Sequence, residues 1–120
     1  MKFFIETFGC QMNEFDTERI IFLLEGEEYK RTRNPELANI IIYNTCSVRK
    51  KAENRLFGHI GNLKNLKKEN PQILICIGGC TSQNLKRDII DYFPYIDIVF
   101  GTQNLEKLLL LRIHLKTLNF

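Results

Sequence analysis

The residues with the clearest capacity for chemistry are four cysteines, Cys10, Cys46, Cys76 and Cys80, in a chain of 120 residues. Cys10, Cys46 and Cys80 lie about 35 residues apart, too far for a local CxxC knuckle, so any shared site must be assembled by the fold. Three thiolates can hold zinc with water in the fourth position, or a 4Fe-4S cluster with one iron free of protein ligands. Spacing does not choose between these. Taken singly, each cysteine could equally be a small apolar core residue. Cys76, inside the apolar run Ile73-Leu74-Ile75-Cys76-Ile77, reads as core. His59 and His114 read as surface or packing residues and not as a fourth ligand. The N-terminus carries no basic stretch followed by an apolar segment, and no apolar run approaches the roughly 20 residues of a membrane span. A cytoplasmic chain with no membrane partner is therefore expected. Its thiols should stay reduced, which favours metal binding or redox chemistry over a disulfide framework.

The elements that must position these thiols follow from the hydrophobic pattern. Lys2 to Thr7 is aromatic and β-branched, a first strand ended by Gly9 with Cys10 just beyond. Asn13 is an expected N-cap, and Ile20, Ile21, Leu23 and Leu24 form a helical stripe up to Gly26. Tyr29 to Thr32 is a strand candidate, and Asn34 to Leu37 a turn or a single helical turn. Asn39 to Tyr43 reads as a strand buried on both faces, followed closely by Cys46. Ser47 can cap a helix to about Glu69, with Val48, Ala52, Leu56, Ile60 and Leu63 inward and Pro71 forbidding continuation. Gly58 and Gly61 inside that helix each cost roughly 1 kcal/mol relative to Ala, and close backbone packing is the expected reason for them. Ile73 to Ile77 is the next strand, Gly78-Gly79 a tight turn before Cys80, and 82–92 a helix. Ile98 to Phe100, Gly101, the cap Thr102 and the stripe Leu105, Leu108, Leu109 and Ile113 complete a last strand and helix.

Strand, turn and helix thus recur about four times in one domain spanning residues 1–120, with 44% hydrophobic residues to fill a core. The fold class is α/β: an open parallel, Rossmann-like sheet of about 4–5 strands with helices on both faces. In such sheets ligands bind beyond the carboxyl ends of the strands. Cys10, Cys46 and Cys80 each follow a strand end and lead toward a helix N-terminus, whose dipole favours a thiolate or an anionic cluster. A nucleotide-binding reading finds only the Gly78-Gly79 turn, because neither GxGxxG nor GxxxxGK[ST] occurs. The net charge of +3 does not by itself imply a nucleic-acid partner. Basic residues do cluster after Cys46: Arg49, Lys50, Lys51, Arg55, Lys64, Lys67 and Lys68, then Lys86 and Arg87. Most fit a solvated helix face. Arg49 and Lys50, nearest the cysteine edge, are candidates for contact with RNA phosphates or a neighbouring domain.

Three local sequences carry a resemblance. Phe8-Gly9-Cys10-Gln11-Met12-Asn13 with Asp16-Thr17-Glu18, then Asn44-Thr45-Cys46-Ser47-Val48-Arg49 with Ala52-Glu53, and Gly78-Gly79-Cys80 with Gln83 closely resemble the amino-terminal domain of the methylthiotransferases. The similarity extends from about residue 2 to Gly101-Thr102-Gln103-Asn104-Leu105. GCQMN and NTCSVR look most like the bacterial branch that makes 2-methylthio-N6-dimethylallyladenosine in tRNA. The resemblance implies a transferase with two 4Fe-4S clusters that uses S-adenosylmethionine to methylthiolate an adenosine next to the anticodon. It matches Cys10, Cys46 and Cys80 to the ligands of the auxiliary cluster, whose open iron presents the inserted sulfur, and gives Cys76 no counterpart. The implied partners are tRNA, a sulfur donor and the radical S-adenosylmethionine (radical SAM) domain of the same protein. Gln11, Asn13, Asn44 and Thr45 flank the ligands and could donate hydrogen bonds to cluster sulfur, although capping and turns explain them equally well. The CxxxCxxC motif of the radical domain and the carboxy-terminal RNA-binding barrel do not occur in these 120 residues. An excised domain or truncated product, unable to complete methylthiolation alone, is expected. A stand-alone zinc or iron-sulfur module with a structural or electron-transfer role is the alternative.

Overall fold

The computed structural model describes residues 1–8, 11–45, 50–78 and 90–100. Five strands form one sheet: β1 (Lys2–Phe8), β2 (Lys30–Arg31), β3 (Ile40–Thr45), β4 (Leu74–Gly78) and β5 (Ile98–Phe100). Among the described residues two long helices accompany them, α1 (Gln11–Gly26) and α2 (Lys50–Glu69). The order is β2-β1-β3-β4-β5 and every pairing is parallel. This is the expected open α/β sheet, and its order is a doubly wound one that reverses between β1 and β3.

Strand alternation sends successive residues to opposite faces. Toward α1 the sheet presents the row Phe3, Ile40, Leu74 and then the row Ile5, Ile42, Cys76, Ile98, on which Ile20 and Leu24 of α1 pack. Toward α2 it presents Phe4, Ile41 and Ile75, then Tyr43, Ile77 and Val99, covered by Ile60 and Leu63. The helices therefore lie on opposite faces. Because both faces are covered, the central strands read as continuous apolar runs, each buried isoleucine contributing about 1.5–3 kcal/mol. The outer strand β2 leaves Lys30 and Arg31 exposed, charges that discourage edge-to-edge association.

Register is set at the amino edge. Asn39 donates its backbone N–H to the Lys2 carbonyl at 2.7 Å, and its Oδ1 accepts from the Lys2 N–H at 2.8 Å. The expected turn at Asn34 is a single 3-10 turn over Pro35–Leu37, with Asn34 Oδ1 accepting from the Glu36 N–H at 3.0 Å. At the end of α2, Lys67 Nζ pairs with Asp97 Oδ2 at 2.8 Å and also donates to the Ile73 carbonyl. Asp97 Oδ2 accepts from the Ile75 N–H as well, so this lysine ties α2 to the entry of β5 and is no part of a solvated face.

Several boundaries depart from the sequence expectations. Asn13 lies inside α1 and is not its cap: only residues 9 and 10 separate β1 from α1, so the helix begins at once. α1 does end at Gly26, as expected, but the residue that turns the chain lies two positions further on. Glu28 takes the left-handed conformation (φ 69°), with Glu28 N–H on the Glu25 carbonyl and Tyr29 N–H on the Leu24 carbonyl. That is the Schellman pattern with glutamate where glycine is usual. Gly78 belongs to β4, paired with Asn44 and Phe100, and not to the turn. Close packing does not explain Gly58 and Gly61: both are exposed, and an added Cβ at either would meet nothing within 4 Å. Of the helix expected over 82–92, residues 90–92 are helical and the rest lies outside the described residues, as does the helix expected from Thr102.

Candidate functional site at the carboxyl edge of the sheet

The carboxyl ends of β1, β3 and β4 are adjacent and level to within one residue. Phe8 is the register partner of Thr45, and Asn44 of Gly78. Neighbouring strands lie about 4.8 Å apart. Cys10, Cys46 and Cys80 follow these ends after two, one and two residues, and all three lie outside the described residues, as does Arg49. Gln11 and Asn13 are in the first turn of α1, Thr45 is the last residue of β3, and Lys50 is the first residue of α2. Among the described residues no three His, Cys, Asp or Glu side chains gather as a metal site.

The last complete row on the α1 side is polar. Thr7 and Asn44 are partners on β1 and β3, directly above Ile5 and Ile42. Thr17 reaches them from α1: its Oγ1 is 2.6 Å from Thr7 Oγ1 and accepts from Asn44 Nδ2 at 3.0 Å. Asn44 is fully buried and Thr17 nearly so. Burial of an amide and a hydroxyl is tolerable here because they satisfy one another. Sequence reasoning proposed Asn44 as a flanking residue, and the structure assigns one of its amide donors to Thr17. It overlooked Thr7 and Thr17. The signal was present: Thr7 continues the alternation Phe3, Ile5, and Thr17 opens the helical stripe Thr17, Ile20, Leu24.

On the opposite face Tyr43 precedes Asn44. Burial, and then the negative charge of Glu6, push its phenol from the usual 10.0 up to about 12. Its ring meets Phe4 edge-on at 6.0 Å and His59 at 6.1 Å, so His59 is a packing residue, as expected. Tyr95 donates its hydroxyl to the Ile60 carbonyl at 2.6 Å, and burial raises its pKa too. An open cavity of about 660 Å³, lined by Pro35, Glu36, Tyr43, His59 and Asn62 among others, lies between the 3-10 turn and α2. Cys76 is fully buried in the α1-side core, as its apolar neighbours predict.

Among the described residues no helix is long and apolar enough to cross a membrane. Comparison with known proteins places the chain in a family. The chain is 49% identical over 107 residues to a tRNA-2-methylthio-N(6)-dimethylallyladenosine synthase of Clostridium botulinum (strain Alaska E43 / Type E3), covering 88% of this chain and 24% of that protein. A synthase of the same name from Clostridium perfringens (strain 13 / Type A) is 50% identical over the same span and coverage. One from Syntrophotalea carbinolica is 44% identical over 107 residues, covering 89% of this chain and 24% of the relative. The chain thus spans about a quarter of the length of the curated relatives it matches. The family model described as "Uncharacterized protein family UPF0004" matches residues 2–101, from the first strand past the last, and the chain belongs to that family, the amino-terminal domain of the methylthiotransferases.

Proposed function

We propose that this chain is the amino-terminal domain of a radical SAM tRNA methylthiotransferase and that Cys10, Cys46 and Cys80 bind its auxiliary 4Fe-4S cluster. The observation that carries the reading is the register of three adjacent strand ends, level to within one residue (Phe8 with Thr45, Asn44 with Gly78), each followed within two residues by one of these cysteines. The ends of β1 and β4 are roughly 10 Å apart across two strand spacings, and two residues of chain reach at most about 7.2 Å. Three thiols leaving such a platform have the reach to meet on one group, and three soft anionic donors fit an iron-sulfur cluster. When bound, that cluster supplies an iron open to a sulfur ligand from outside the protein.

The chain's own residues contribute the rest. α1 begins directly after Cys10 and α2 four residues after Cys46, so two helix N-termini face the cysteine edge and favour thiolate there. Arg49 and Lys50 would meet RNA phosphates or the neighbouring catalytic domain, and Gln11, Asn13, Asn44 and Thr45 would orient groups around the ligands. The relatives' names support tRNA as the substrate of the parent enzyme, and 2-methylthiolation of N6-dimethylallyladenosine next to the anticodon as its reaction. S-adenosylmethionine and the second cluster would be bound outside this chain, which alone would be inactive. A sulfur donor and the radical domain are the remaining partners, in the cytoplasm.

Anaerobic reconstitution with iron and sulfide tests the reading. About four irons per chain are expected, with Cys10→Ala, Cys46→Ala and Cys80→Ala each losing the cluster and Cys76→Ala retaining it. Full clusters in all three ligand variants would refute the assignment. One colourless zinc per chain, with no iron taken up, would favour the zinc module instead.

A further inference from the structure

The polar row beneath the cysteine edge has no counterpart in the two apolar rows that precede it. Thr17→Val alone takes one partner from Thr7 and from Asn44. Apolar groups of like shape at all three positions, however, would fill nearly the same volume, and replacing every hydrogen-bonded partner in this way is often nearly neutral for stability. The polar choice therefore calls for a reason other than packing. What hydroxyls and an amide add is direction. Thr17 Oγ1 engages β1 through Thr7 and β3 through Asn44, the two strands between which the sheet order reverses. It does so one residue before both strands end, three residues before Cys10 and two before Cys46. The same contact anchors α1 about 9 Å along its axis from Gln11, the residue following Cys10.

We infer that Thr17 is a positioning residue for the metal site: it fixes β1, β3 and α1 against one another so that Cys10 and Cys46, which follow these strands in the sequence, keep one separation. This rests on the cluster reading above. It predicts a role in cluster retention that exceeds the role in folding.

The experiment compares the full chain with Thr17→Val, Thr17→Ser and, as a control for plain destabilisation, Ile20→Val, which trims the same α1 face one turn further along. Each is reconstituted anaerobically, and the rate of iron loss to a ferrous chelator and the visible spectrum are recorded beside the thermal unfolding of the metal-free form. Thr17→Val is expected to lose iron about fivefold faster, on the scale of one lost hydrogen bond, with an altered spectrum. Thr17→Ser should return to within about twofold of wild type, and Ile20→Val should keep the wild-type rate despite a lower unfolding temperature. A Thr17→Val rate no faster than that of Ile20→Val overturns the inference. So does failure of both Thr17→Val and Thr7→Val to fold, since the row would then be holding the domain and not the site. A Cys46→Ala arm separates the two levels: iron retained there refutes the cluster reading itself, whereas iron lost there with Thr17→Val unaffected refutes only the positioning role.

Discussion

Tyr43 offers a direct test of how firmly the carboxyl half of β3 is buried. Its phenol is raised from 10.0 to about 12, first by burial against Ile41, Ile60 and Leu63 and then by the Glu6 carboxylate on the neighbouring strand. A pKa raised on folding means the native state holds the proton more tightly than the unfolded chain does. The corresponding stability is complete below pH 10 and is lost as pH rises toward 12. At about 1.36 kcal/mol per pKa unit the whole interval is worth about 2.7 kcal/mol, of which about 1.4 kcal/mol is gone by pH 11. Urea unfolding followed by circular dichroism, at about pH 8 and about pH 11, should be run on the wild type and on Tyr43→Phe. Every other titratable group is common to the two proteins, so its contribution cancels in the comparison. Tyr43→Phe is expected to start less stable or equal and to lose about 1.4 kcal/mol less between the two conditions. Parallel losses would refute the burial of this phenol, and with it the covering of β3 by α2.

Two further expectations concern stability alone. Gly58→Ala and Gly61→Ala should each raise stability by about 1 kcal/mol, read as a higher unfolding temperature, because the helix gains propensity and the added methyl meets nothing. Asp97→Asn keeps the shape but removes the charge facing Lys67, and should cost about 1.5–3 kcal/mol in denaturant unfolding. In a double-mutant cycle with Lys67→Met the two losses should not add.

The strands were legible because burial on both faces writes an unbroken apolar run, as in Ile40-Ile41-Ile42 and Ile73 to Ile77. The long helices were legible from Ile20 and Leu24, and from Ile60 and Leu63. The capping residues of α1 were not. Gly26 does end α1, yet the left-handed residue of the cap is Glu28, where the Tyr29 ring packs back on the α1 core and the Glu25 and Leu24 carbonyls take the last N–H groups. Gly58 and Gly61 look like close-packing positions, but no neighbour approaches them. Lys67 looks like one more basic side chain on an exposed face, and only the tertiary fold brings Asp97 to it from 30 residues away. The polar row escaped for a related reason: its members come from three elements, and threonine at a strand end or early in a helix has ordinary local explanations.

The same register links the two edges of the sheet. Side chains alternate with a period of two, so sliding β3 by one residue would turn Asn44 away from α1 and put Tyr43 or Thr45 opposite Thr17. It would also turn Ile40 and Ile42 out of one core and Ile41 into it, so the slip is opposed by the whole apolar content of the strand. Asn39, bonded twice to Lys2 at the amino edge, removes the remaining freedom before the first apolar row begins. The level ends of β1 and β3 at Phe8 and Thr45 are thus consequences of pairings made five and six residues earlier. Substitutions near Asn39 should therefore act on the cysteine edge without touching it, whereas changes at the exposed Gly58 and Gly61 of α2 should act on stability alone.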